Sequence, residues 1–84
     1  MDFEFYRNFI TVAETGNLTT ASKKLALAQP ALSAQIKTLE HYYGAKLIQT
    51  ARGKRQLTLT EAGEAFLGKA RQICRTEETI LLDM

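Results

Sequence analysis

The 84 residues carry 11 Lys and Arg against 9 Asp and Glu, a net charge of +2, and are 45% hydrophobic. That is enough for one small folded domain and too apolar for a disordered chain. No apolar run approaches the ~20 residues of a membrane span, the acidic start Met1-Asp2-Phe3-Glu4 lacks the basic and apolar regions of a secretory signal, and the single cysteine, Cys74, fits a reducing, cytoplasmic setting.

Residues 2–15 read as a first helix. Phe5, Phe9 and Val12 repeat at i, i+4, i+7, Asp2 can cap the start, and Gly16 suits the left-handed residue at the end. Residues 19–26 read as a short second helix capped by Thr19, with Ala21 and Leu25 on one face; so short a helix needs tertiary packing to persist. Residues 29–43 read as a third. Leu32, Ile36, Leu39 and Tyr43 form one stripe, Pro30 sits in the first turn where its missing N–H is harmless, and Gly44 ends it.

Leu47–Thr50 and Gln56–Thr60 read as two strands around Ala51-Arg52-Gly53-Lys54-Arg55, with Gly53 supplying the turn. Thr60 then caps a long helix whose first turn holds Glu61 and Glu64, as the helix dipole favours. Along it Phe66, Ala70, Ile73, Glu77, Ile80 and Met84 follow a 4-3-4-3 spacing, a coiled-coil-like seam interrupted by Glu77. Phe66, Ala70, Ile73, Ile80 and Met84 are therefore the candidate residues of a dimer interface.

The fold class that follows is mainly α with a small β-hairpin: a winged helix-turn-helix over residues 1–60, then a linker and dimerisation helix over 61–84. The second and third helices are separated only by Ala26 to Ala28, the spacing of a helix-turn-helix whose second helix enters the DNA major groove. On the side of the third helix away from Leu32 and Ile36 lie Pro30, Ser33, Ala34, Lys37 and His41, with Gln29 on the flank. Gln29 and Ser33 can bond base edges, Pro30 and Ala34 can meet a thymine methyl, and Lys37 can reach guanine or phosphate. Thr19, at the start of the second helix, is a further candidate contact.

Charge distribution strengthens this reading. Residues 46–60 hold Lys46, Arg52, Lys54 and Arg55 and no acid, whereas 61–84 hold three basic and five acidic residues. A basic hairpin directly after a groove-reading helix suits a wing on phosphates, with Arg52, Lys54 and Arg55 as the contacts. Taken singly, the outward face of the third helix and the basic run are also what a solvated surface looks like; their order along the chain favours double-stranded DNA. A protein-binding winged helix would not need such one-sided charge. An enzyme is disfavoured by the lack of a metal-ligand cluster, a glycine-rich phosphate loop or a nucleophile–base pair: Cys74 reads as a bystander thiol and His41 as a surface residue at a helix end. No cofactor is implied.

Ala21-Ser22-Lys23-Lys24-Leu25, then Gln29-Pro30-Ala31-Leu32-Ser33-Ala34-Gln35-Ile36-Lys37-Thr38-Leu39-Glu40, then Gly44, Leu47 and Leu59-Thr60-Glu61-Ala62-Gly63 closely resemble the N-terminal domain of LysR-type transcriptional regulators. The resemblance covers nearly the whole chain. It implies a bacterial cytoplasmic regulator that binds DNA as a dimer or tetramer, pairs through its long fourth helix, and senses a small-molecule effector in a C-terminal domain beyond these residues. The sequence departs from the family pattern at Ala28, where a Ser or Thr usually caps the recognition helix, at Ala34, where Arg is common, and at Thr50, where an Arg usually ends the first wing strand. The wing is also longer than usual.

Overall fold

A computed structural model describes residues 3–50 and 56–83. The order is α1 (Phe3–Thr15), α2 (Leu18–Leu25), α3 (Gln29–Tyr43), β1 (Ile48–Thr50), β2 (Leu57–Leu59) and α4 (Glu61–Asp83). This is the expected class, with boundaries moved by one or two residues. The proposed Asp2 cap and the tip 51–55 lie outside the described residues.

Three helices close one core. Phe9 and Val12 of α1, Ala21 of α2, and Leu32, Ile36 and Leu39 of α3 are buried together with Leu47 and Leu57 from the hairpin. The i, i+4, i+7 spacing thus does bury one stripe of α3, although Tyr43 at its end stays 44% exposed. Between α1 and α3 lies a buried polar link, in which Asn8 Nδ2 donates to Gln35 Oε1 at 2.8 Å. Burying Asn8 is tolerable because its donor is paired.

The second helix starts one residue earlier than expected, and Thr19 is not its cap. Asn17 takes that place with extended backbone, and its side chain accepts from Thr20 N at 3.0 Å. Asn17 also bridges to Gln56, and Leu57 N donates to Gly16 O at 2.9 Å, so the return strand of the wing is tied to the α1–α2 corner. Gly16 meets that corner at φ +65, a left-handed conformation that glycine adopts without strain.

The hairpin is antiparallel, with Ile48 opposite Leu59, Gln49 opposite Thr58 and Thr50 opposite Leu57. Thr60 fastens its base as well as capping α4. Its hydroxyl donates to Lys46 O at 2.5 Å and accepts from Gly63 N at 2.9 Å, and Thr60 N donates to Leu47 O at 3.0 Å.

Helix α4 packs chiefly on α1, which corrects part of the expected dimer seam. Ala70 is fully buried by its own chain. Phe66 is half-buried, edge-on to Phe9 at 4.9 Å and stacked on Tyr6 at 5.9 Å. Ile73 is half-buried, Cys74 is buried, and Glu77, which interrupts the seam, forms an ion pair with Arg7 of α1. The apolar face of α1 takes up the first half of the seam; beyond it Ile80, Leu81 and Leu82 are 56%, 63% and 86% exposed. Met84 lies outside the described residues.

Candidate nucleic-acid interface

The turn between α2 and α3 sets the angle at which α3 is presented. Ala26 closes α2 at φ +53, and its N–H and that of Leu27 bond Lys23 O and Ser22 O. A non-glycine residue in this conformation carries strain, which the paired carbonyls at the end of α2 offset. Ala28 is then the N-cap of α3, with φ −65 and ψ 139 and no side-chain cap hydrogen bond. The first turn of α3 therefore presents uncapped N–H groups at the positive end of the helix dipole.

From this start α3 turns outward the side expected of it. Gln29, Pro30, Ala34, Lys37 and His41 are exposed, and Ser33 is half-buried. Ser33 and Lys37 share a groove with the hairpin, whose opposite wall is formed by Lys46, Gln49 and Thr50. The structure also joins Thr19 to Gln29, since the Thr19 hydroxyl donates to Gln29 Oε1 at 3.1 Å. Arg52, Lys54 and Arg55, the expected phosphate contacts of the wing tip, lie outside the described residues.

One residue of the groove was not expected from its type. Glu40 lines it between Lys37 and Lys46, yet its Oε2 accepts from Leu47 N at 2.8 Å and Ile48 N at 3.3 Å. The carboxylate is thus turned onto the backbone at the start of β1, where it anchors the wing to α3. A signal for this exists in the sequence, because an acid in the second half of a helix opposes the dipole and calls for a partner. Gln35 is likewise spent inside the fold on Asn8.

Elsewhere the chemistry is quiet. Burial pushes the Cys74 thiol up, away from the thiolate that reactivity requires. Among the described residues there is no group of side chains that could hold a metal ion, and no helix is long and apolar enough to cross a membrane.

A short helix and a tight turn that present α3 beside a hairpin rooted on it are a specific arrangement, and it has a match. The family model for bacterial regulatory helix-turn-helix proteins of the lysR family covers residues 3–64. The chain belongs to the LysR family. It is 40% identical over 84 residues to the HTH-type transcriptional regulator BsdA of Bacillus subtilis, covering 100% of this chain and 29% of BsdA. It is 42% identical over 82 residues to the Hca operon transcriptional activator HcaR of Escherichia coli, covering 98% of this chain and 27% of HcaR. This LysR-family chain therefore spans less than a third of the length of these curated relatives. Among solved structures, the BenM DNA-binding domain on benA site 1 DNA superposes with a TM-score of 0.86 at 33% identity, over 96% of this chain and 92% of that one. The CbnR DNA-binding domain in its DNA complex gives 0.87 at 38% identity, over 94% and 88%.

Proposed function

We propose that this chain is the sequence-specific, double-stranded-DNA-binding part of a bacterial transcriptional regulator. Helix α3 lies in the major groove and the hairpin follows the adjacent backbone or minor groove. The observation that carries the reading is the outward row Gln29, Pro30, Ala34 and Lys37, free of acid, beside a groove whose far wall is the root of a basic wing. The likeness to BenM and CbnR domains solved on DNA supports it.

Residues 1–60 do the reading, and residues 61–84 link and pair two copies. In that division Ile73, Ile80 and Met84 belong to the dimer contact, whereas Phe66 and Ala70 serve the chain's own core. The regulator works in the cytoplasm without catalysis. A small-molecule effector acts on a C-terminal domain of the longer protein.

Lys37, Arg52, Lys54 and Arg55 of two chains would neutralise roughly six to eight phosphates, so log K against log salt should fall with a slope of about −5 to −7. Titration of a selected duplex at several salt concentrations measures it, and a slope shallower than about −2 overturns the wing's part in binding.

A further inference from the structure

We propose that Thr19 is a positioning residue for base reading: it holds the side chain of Gln29 in one place, so that its carboxamide edge meets an A·T pair. This rests on the reading of α3 as the groove helix.

Thr19 and Gln29 come from different helices, ten residues apart across the helix-turn-helix corner. Each is the other's side-chain hydrogen-bond partner at 3.1 Å. Gln29 is exposed at the first position of α3, and Thr19 is half-buried. A free glutamine there would sample many rotamers. The bond from the Thr19 hydroxyl to Oε1 ties the end of that side chain to α2 and so holds its rotamer. One Oε1 lone pair is thereby taken, leaving the other lone pair and both Nε2 hydrogens for a partner. An acceptor beside a donor is the pattern that completes a bidentate pair with adenine, Oε1 receiving from N6 and Nε2 donating to N7.

Thr19 is well placed for this. The cap of α2 is Asn17, so the Thr19 hydroxyl is not needed to satisfy the helix start. Its β-branched side chain has few rotamers, which makes it a stiff support. Ordering a reading side chain before binding removes part of the entropy that binding would otherwise lose.

The test is selection of bound sites from random-sequence DNA by the unmodified protein and by Gln29→Ala, Thr19→Val, Thr19→Ser and the Thr19→Val/Gln29→Ala pair. Thr19→Val keeps the branched shape and removes the hydroxyl. Gln29→Ala should erase the preference for A·T at one position of each half-site. Thr19→Val should weaken that same preference by about 3- to 10-fold, the span of one net hydrogen bond, with little change on scrambled DNA. Thr19→Ser should restore it, and the double variant should match Gln29→Ala. Equal weakening on all sequences by Thr19→Val, with unchanged melting, would make Thr19 a phosphate contact and overturn the proposal. So would a G·C preference at the Gln29 position. If the unmodified protein selects no site, or Gln29→Ala alters no position, the groove reading fails and takes this proposal with it.

Discussion

Gly63 stands where the α4 backbone passes directly under the carbonyl of Leu47. A Cβ built there would lie 1.9 Å from Leu47 O and 2.9 Å from its carbon, both backbone atoms that cannot swing aside. Gly63→Ala must therefore push α4 away from the hairpin root, breaking the Thr60 bonds at that junction. We expect a loss of about 3 kcal/mol or more, beyond ordinary overpacking, read as a fall in the urea midpoint. Ala28 gives the opposite case. It occupies the α3 N-cap without a side-chain bond, so Ala28→Ser should gain ~1 kcal/mol, and a flat or lower melting midpoint would show that another group fills the cap. The two sites also differ in how legible they are. A missing cap can be read from four neighbouring residues, and so could Thr60 and Gly44. The reason for Gly63 cannot, because it lies in a strand root reached only after the chain has folded. Asn8 on Gln35 escaped the sequence for the same cause, and for Glu40 the sequence marks the need of a partner but not that the partner is the backbone of Leu47.

Helices and strands were legible where their determinants are local. The stripe Leu32, Ile36 and Leu39 and the Gly44 stop mark α3 unambiguously, and its outward side follows from the helical period. Thr19 is a good capping residue by type, yet Asn17 caps α2 and also bridges to Gln56, a contact with the distant wing that no local pattern shows. The face of α4 was read as one seam because an apolar periodicity says that a helix is covered, not by what. Between these elements, Tyr43 at the end of α3 shares a 2.5 Å hydrogen bond with the hydroxyl of Tyr6 on α1. That bond, then burial, pushes the Tyr43 phenol from 10.0 up to about 12. The folded protein holds this proton more tightly than the unfolded chain. Its contribution is thus complete below pH 10 and is lost as pH rises from about 10 to about 12. Absorbance titration should show the Tyr43 phenol ionising late, and Tyr6→Phe should bring it back towards 10.0. A Tyr6→Phe titration identical to that of the unmodified protein would dissociate the two rings.

At the scale of the whole molecule the extents are 47 × 27 × 19 Å, and the long dimension reflects α4, whose 23 residues outrun the core. Its last turns carry Ile80 and Leu81 beside the half-exposed Phe3, an apolar groove that the described residues leave open. If this end pairs two copies, Ile80→Asp together with Leu81→Asp should convert a sedimenting dimer to monomer while leaving the melting midpoint of the monomer unit nearly unchanged. A monomer for the unmodified chain at high micromolar concentration would refute the pairing. The ring of Phe66 has a further bearing on such a pair. It lies 5.1 Å from Tyr43, 5.9 Å from Tyr6 and 4.9 Å from Phe9, so the foot of α4 is meshed with the far end of α3 through close-packed aromatic rings. Close packing transmits displacement rather than absorbing it. In two chains joined along α4, a change in the crossing angle of the pair would be geared into a change in the gap and tilt between the two α3 helices, with each reading surface keeping its own shape.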